Sequence, residues 1–246
     1  KVKLFHFEWC DDFAKARNYS LEQASCEWIL VLDADEIISN PKALAFDIKR
    51  KEIDGFYLLL KSLQPEGSLT KYEEVFACRL FRNSRHHRYK GRIHELVAPS
   101  IVTAGGKITY SKATIIHSGY QSHLVQGGTT RRDRNKRILV DILKDDPNDE
   151  YYIYHLGLTI RFESPQEAYA LFVRAITIGG DSMAPHLIEE MFMRMAQISL
   201  QKGDYESTLR EAYRCIGVNS RNTTGLVALI VSYMSIGEPI NALPHL

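Results

Sequence analysis

Two carboxylates set two residues apart, Asp33 and Asp35, close the apolar run Trp28-Ile-Leu-Val-Leu32. On extended backbone, side chains at i and i+2 point the same way. With only Ala34 between them, the pair suits a hard divalent cation that also holds substrate phosphates. In open α/β sheets ligands gather at the carboxyl ends of strands, which is where this pair falls. The plainer alternative is a strand that ends in a solvated acidic turn. Other residues of suitable chemistry follow the same logic. Arg17 and Asn18 precede the acidic run and could face a nucleotide, although Arg17 could equally form a surface ion pair with Asp12 or Glu22. Glu95, beside His94, is a candidate general base, or else an edge-strand partner of Arg92 or Lys90. His117 ends the β-like run Ala113-Thr-Ile-Ile-His and is a candidate third metal ligand through a neutral imidazole.

Basic residues fall in two places. Arg79 and Arg82, in Arg-Leu-Phe-Arg, alternate out of phase, so a regular strand can present only one of them to a site. Arg131, Arg132, Arg134, Lys136 and Arg137 form a cluster suited to a diphosphate, or simply to a solvated helix face. His86-His87 sits between Arg85 and Arg88 and reads as an exposed turn, since adjacent strand residues point to opposite faces.

Positioning these residues requires a set of short elements. Lys1–Phe7 reads as a strand, Phe13–Ala24 as a helix capped by Asp11 or Asp12, and Trp28–Leu32 as the next strand. Together they would make a β-α-β unit with a right-handed crossover. Asn40-Pro41 opens a surface helix over Lys42–Lys51, and Gly55–Leu60 is a second apolar strand. Gln64–Ser68 is turn chemistry. Val75–Phe81, Gly91–Val97, Ile101–Val102, Lys107–Tyr110 and Ala113–His117 read as short strands, with a hairpin at Gly105-Gly106. Ser118–Thr130 reads as a mobile loop, and Arg131–Leu143 as a helix ended before Pro147.

From Tyr151 onward the pattern is helical throughout and similar to tetratricopeptide repeats. Gly203 and Gly237 share one position of a 34-residue period. Ala196, Thr208, Ala212 and Cys215 take the small packing positions of one repeat, with Leu229, Tyr233 and Ala242 in the next. An earlier, looser copy has Leu156-Gly157, Ala168, Phe172 and Ala175. The expected division is therefore 1–145 and 146–246. The opening without the usual first strands, and the last repeat without its second helix, lead us to expect a piece of a longer protein.

Bulk composition bounds the possibilities. The chain has 246 residues, 45% of them hydrophobic, enough for one large core or two modest ones. A net charge of +1 removes any global polyelectrolyte argument, and no nucleic-acid partner is expected. Cys10, Cys26, Cys78 and Cys215 have no metal-ligand spacing and read as reduced thiols. No apolar run approaches the roughly 18 residues of a membrane span, so a cytoplasmic or membrane-peripheral protein is expected, with a homodimer open.

The blocks Trp9-Cys-Asp-Asp-Phe13 with Arg17-Asn18, Asp33-Ala-Asp-Glu36, His94-Glu95 and His117-Ser-Gly-Tyr120 together resemble family 2 glycosyltransferases of GT-A-type fold. With a tetratricopeptide-like tail, they are similar to peptide S-glycosyltransferases of bacteriocin pathways and to lipopolysaccharide-core glycosyltransferases. The resemblance implies an α/β class chain, an N-terminally incomplete nucleotide-sugar-binding domain followed by an all-α repeat domain. It implies an inverting hexosyltransferase that uses a nucleotide-diphosphate sugar, such as a UDP-sugar, with Mg²⁺ or Mn²⁺. Asp35, Asp33 and His117 would hold the metal, which acts as a Lewis acid for the departing phosphate. Arg17, Asn18, Asp33, Arg82 and Arg132 would bind the donor. Glu95 would act as base, with His94 lining the site. The repeats would hold a peptide, protein or glycan acceptor. The alternative is a non-catalytic, tetratricopeptide-type partner-binding protein.

Overall fold

The computed structural model describes residues 2–63, 72–117 and 130–245. The chain divides into two compact units, Lys1–Gly128 and Thr129–Leu246. The helix at 131–145 thus groups with the repeats, whereas the sequence pattern had placed it with the first domain.

The first unit begins with helix α1, Phe13–Glu22, whose N-cap Asp12 accepts a hydrogen bond from the Lys15 amide at 2.8 Å. Strands β1 (Trp28–Leu30) and β2 (Glu36–Ile38) flank the acidic turn, and helix α2 runs over Pro41–Asp47. Strands β3 (Gly55–Leu63) and β4 (Tyr72–Arg82), helix α3 (Ala98–Thr103) and strand β5 (Ile108–His117) complete the unit. The strands form one sheet in the order β1-β4-β3-β5-β2. Only β3 and β5 run parallel; the other three pairings are antiparallel. Alternation along β3 explains its two-sided burial. Leu58 and Leu60 join Phe56, Leu80 and Ile115 in a cluster completed by Ala43 and Leu44 of α2. On the other side Cys78, Phe81 and Tyr89 pack with Leu21 of α1 and Ile101 of α3.

Several expectations are corrected here. Residues 2–10 form no strand, and Val2 and Leu4 are exposed, so the β-α-β unit expected over residues 1–32 is not formed. The apolar run from Trp28 is not a buried parallel strand. It is a three-residue strand paired only with β4, and Leu30 and Leu32 stay partly in water. Gly91–Val97 contributes one isolated bridge, Lys90 to Leu96. Ile101–Val102 is helical, because Pro99 sits in the first turn of α3 and its ring presets a helical φ. Gly105, at φ +81°, therefore links a helix to a strand rather than two strands. Lys107–Tyr110 and Ala113–His117 belong to the single strand β5. The turn at Gln64–Ser68 and nearly all of the loop at Ser118–Thr130 lie outside the described residues.

The second unit is helical. Its elements are α4 (Arg131–Asp145), α5 (Glu150–Ile160), α6 (Pro165–Gly179), α7 (Pro185–Gln201), α8 (Tyr205–Val218), α9 (Thr223–Ser235) and α10 (Pro239–Ala242). Polar residues start several of them. Thr130 and Asp133 form a reciprocal capping box on α4, and Asp149, Asp204 and Asn222 cap α5, α8 and α9. Gly203 and Gly237 both turn the chain in the left-handed region, at φ +74° and +79°. These are equivalent points in the 34-residue period. The small residues of the pattern lie at the helix contacts: Ala196, Ala212, Ala228 and Leu229 form one cluster, and Thr208 and Cys215 are also fully buried. Ile153, Phe172, Met191 and Met195 fill the core around α5, α6 and α7.

Gly157 shows how close that packing is. A Cβ built there would lie 2.7 Å from a ring carbon of Phe172. Gly157→Ala is therefore expected to lower the unfolding free energy by about 1–3 kcal/mol through overpacking. Gly203 has nothing within 4 Å, so Gly203→Ala acts through backbone strain alone, about 1–2 kcal/mol. Urea midpoints at unchanged slope check both values. A Gly157→Ala protein as stable as wild type would contradict the close approach of α5 and α6.

Candidate functional site

The turn between β1 and β2 does not present Asp33 and Asp35 as a pair. Extended backbone ends at Asp33, and Ala34 and Asp35 form a turn, so the i, i+2 rule fails there. The two carboxylates go to different partners. Asp33 accepts from Arg17 Nη1 at 3.2 Å and from Arg79 Nη2 at 3.4 Å. Asp35 Oδ2 meets His117 Nε2 at 3.1 Å. A carboxylate only accepts, so His117 donates from Nε2, and its Nδ1 lies 3.3 Å from the Ser62 hydroxyl.

Around Asp33 the structure assembles an ion chain. Glu36 reaches back to accept from the Asp33 amide at 2.8 Å and from Arg79 Nη2 at 2.9 Å. Its side chain is only 3% exposed. Arg17, from α1, donates Nε to Glu95 at 2.5 Å and lies over the Tyr89 ring. Two guanidinium groups thus face three carboxylates. Burial alone would raise the Asp33 carboxyl pKa, but the charges of Arg17 and then Arg79 outweigh it and hold the group below its usual range. Burial opposes the charge on Arg17 too, yet the hydrogen bond to Glu95 and the nearby Asp33 raise its pKa further. Arg79 Nη1 is buried and accepted by no atom of the described residues. An orphaned buried donor of this kind costs about 1–3 kcal/mol, more when charged.

His94 sits at φ +55°, a left-handed conformation that non-glycine residues seldom adopt. Burial lowers its pKa against the opposing pull of Glu95, which favours the neutral imidazole. Arg17, Arg79 and Glu95 line one end of a cleft of about 660 Å³, whose other walls are mostly apolar and come from β3, β4 and the segment Leu96–Thr103.

The remaining expected site residues have other tasks. Asn18 clamps the backbone of Tyr89 at two points, donating to its carbonyl at 3.0 Å and accepting from its amide at 2.9 Å. Arg82 stacks over the Trp28 ring at 4.5 Å and donates to Glu27 at 2.5 Å and to the Ile53 carbonyl at 3.2 Å. Of the two out-of-phase arginines, Arg79 and not Arg82 faces the cleft. Arg132 belongs to the second unit, where it donates to Glu163 at 3.1 Å, with Lys136 at 3.9 Å from the same carboxylate. His87 is buried rather than exposed, its Nδ1 2.8 Å from the Arg82 carbonyl oxygen. Sequence reasoning missed Glu36, although it follows the acidic pair directly.

The proposed ligands of Mg²⁺ or Mn²⁺ do not fit an ion as arranged. Asp33 is committed to two arginines, and Asp35 and His117 are turned toward each other. Among the described residues no three His, Cys, Asp or Glu side chains converge on one point.

No family model matches the chain. A curated protein of Synechococcus elongatus described as "TPR repeat-containing protein" is 30% identical over 227 residues, covering 85% of this chain and 52% of its own length. The chain thus spans about half the length of the curated relative it matches. Two solved structures of MamA show 18% and 20% identity, with TM-scores of 0.40 and 0.41. They cover 48% and 46% of this chain, and 71% and 60% of their own, a likeness too slight to carry an argument.

These findings overturn the glycosyltransferase resemblance. The relative is described by its helical repeats, and the sheet is mainly antiparallel with its acidic turn held in ion pairs. The GT-A-type assignment and the inverting hexosyl transfer are set aside, and the nucleotide-sugar donor is left without support. Among the described residues no helix is long and apolar enough to cross a membrane.

Glu36→Ala would strand Arg79 beside a half-exposed Asp33, and breaking such a buried pair costs about 3–5 kcal/mol. A urea midpoint within experimental error of wild type would refute that role. Acid titration tests the same chain. A folded-state pKa held low contributes stability that is complete above the unfolded value, about pH 4, and is lost as pH falls through the folded value. Asp33→Asn is expected to flatten this acid limb of the stability–pH curve while leaving its slope above about pH 6 unchanged.

Proposed function

We propose that this protein acts by holding a macromolecular partner on its helical repeat unit, without catalysing a reaction on it. The observation that carries this reading is the realised 34-residue period. Gly203 and Gly237 make the same left-handed turn between paired helices, and Thr208 and Ala242, at equivalent positions of the period, are both buried after them. Each repeat contacts chiefly its neighbours, and stacking such units builds extended surfaces suited to a partner. The description of the Synechococcus elongatus relative as a repeat protein supports the same view.

The face available for contact is partly apolar. On α9, Val227, Val231 and Met234 recur at helical spacing and are 54%, 40% and 59% exposed. Meanwhile the acidic groups of α7 are already engaged within the fold. Glu189 accepts from Asn219 at 2.8 Å and from Asn222 at 2.6 Å, and Glu190 accepts from Tyr154 at 2.7 Å and from Arg194 at 3.0 Å. On α7 these two carboxylates are thus spent within the fold, while the α9 stripe is apolar.

The reading is tested by quantitative affinity capture from the native cell extract, comparing the full chain with two variants. Val227→Asp with Met234→Asp should remove the captured partner, because both positions are exposed and the fold is retained. Asp35→Ala should capture as wild type does. Loss of capture with Asp35→Ala and retention with the α9 double variant would reverse the assignment of function between the two units.

A further inference from the structure

Residues 2–10 run without bend or turn, and every one of them is exposed. Val2 and Leu4 are 98% and 80% exposed, although both are apolar. Among the described residues, no backbone hydrogen bond ties this arm to the rest of the chain. Its root is anchored on α1 by side chains. Phe7 packs on Tyr19 with ring centroids 5.4 Å apart, and Trp9 on Phe13 at 4.8 Å. An extended, apolar stretch with unpaired amides has what a strand needs except a sheet.

The sheet has the complementary lack. Strand β1 lies at its edge. The Val31 amide donates to the Arg79 carbonyl and the Asn83 amide to the Glu27 carbonyl, so residues 27, 29 and 31 turn their backbone groups toward β4. Trp28, Leu30 and Leu32 therefore aim an amide and a carbonyl each outward, where no described residue pairs with them. A free edge of this kind is a template for pairing with another chain. Five residues at about 3.3 Å each give the edge roughly 16 Å, which residues 2–7 of an arm match in length. Charge favours the same occupant. Lys3 meets a carboxylate whichever way the arm runs, Glu27 at one end of the edge or Asp33 at the other.

We propose that two copies of this chain exchange arms, residues 2–7 of each adding as a strand to the free edge of β1 in the other. The exchange is isologous, the same two elements meeting twice about a two-fold axis. Main-chain hydrogen bonds supply the attachment, and the arm's apolar side chains cover Leu30 and Leu32. The contact is made by the first unit and does not rest on partner holding by the repeats.

Sedimentation velocity of the full chain from about 1 to about 100 μM protein is expected to show a shift from the mass of one copy to that of two. Lys3→Pro combined with Leu4→Pro removes an amide on each side of the arm, so at least one is lost from the ladder. The dimer should weaken by about tenfold or more, with the urea midpoint of the single copy unchanged. Leu32→Lys, which charges the edge, should weaken it likewise. Val227→Asp with Met234→Asp on α9 should leave it as in wild type. To locate the contact, copies carrying Leu4→Cys are mixed with copies carrying Leu32→Cys, both with Cys10→Ser and Cys26→Ser, and treated with a short bismaleimide. A cross-link between the two kinds of copy is expected. A chain monomeric throughout, a dimer indifferent to the arm prolines, or no cross-link between those two positions would overturn the proposal.

Discussion

Glu36 and Arg79 meet with almost no water around them, and the first unit is arranged about that contact. A carboxylate and a guanidinium 2.9 Å apart in a site this buried lose most of their hydration. The contact persists because further hydrogen bonds complete it: the Asp33 amide on Glu36, the Asp33 carboxylate on Arg79, and through Asp33 the guanidinium of Arg17, which in turn holds Glu95. Four separate pieces of chain are tied in this way, namely helix α1, the turn before β2, strand β4 and the segment after Gly91. A Coulomb interaction of about 4 kcal/mol between close charges at an effective dielectric near 20 is enough to fix such a register. The exposed Arg132–Glu163 pair shows the contrast. Both side chains are about half in water, and pairs of that kind contribute little.

The same chain sets how the acidic turn is used in this structure. Oxygen atoms that could ligate a cation already satisfy arginines, and the remaining carboxylate, Asp35, is paired with an imidazole that bridges to Ser62. Sequence spacing recognised carboxylates of the right type but not the basic groups that arrive from elsewhere to neutralise them. Asn18 and Arg82 belong to the same lesson. Polar side chains that resemble ligand contacts in a motif are spent on backbone amides and carbonyls, because a loop running beside a sheet must have its polar groups paired.

The second unit depends on a different constraint, the distance of closest approach between helices. Gly157 beside Phe172, and Ala196, Ala212 and Ala228 in a shared cluster, let neighbouring helices come near enough to bury Leu229 and Met195 completely. Specificity here is steric, and it repeats. It also leaves an apolar stripe on α9 outward, so the order that stabilises the stack also supplies a surface to bind with.

What the sequence determined by itself was local and periodic. The cap at Asp12, the 34-residue spacing of the turning glycines and the small residues at helix contacts were read from short-range rules, and the caps at Thr130, Asp149, Asp204 and Asn222 obey the same rules. Tertiary structure decided everything that required distant segments to meet. It made Trp28–Leu30 an edge strand, drew Ile101 into a helix started by Pro99, and left residues 2–10 outside the sheet. It chose Arg79 over Arg82 for the cleft and gave Glu36 a role that adjacency to Asp33 did not announce. The physical reason is the same in each case. Strand pairing and ion pairing join residues tens of positions apart, as Arg17 and Glu95 are, and no pattern along the chain encodes which charge will find which partner.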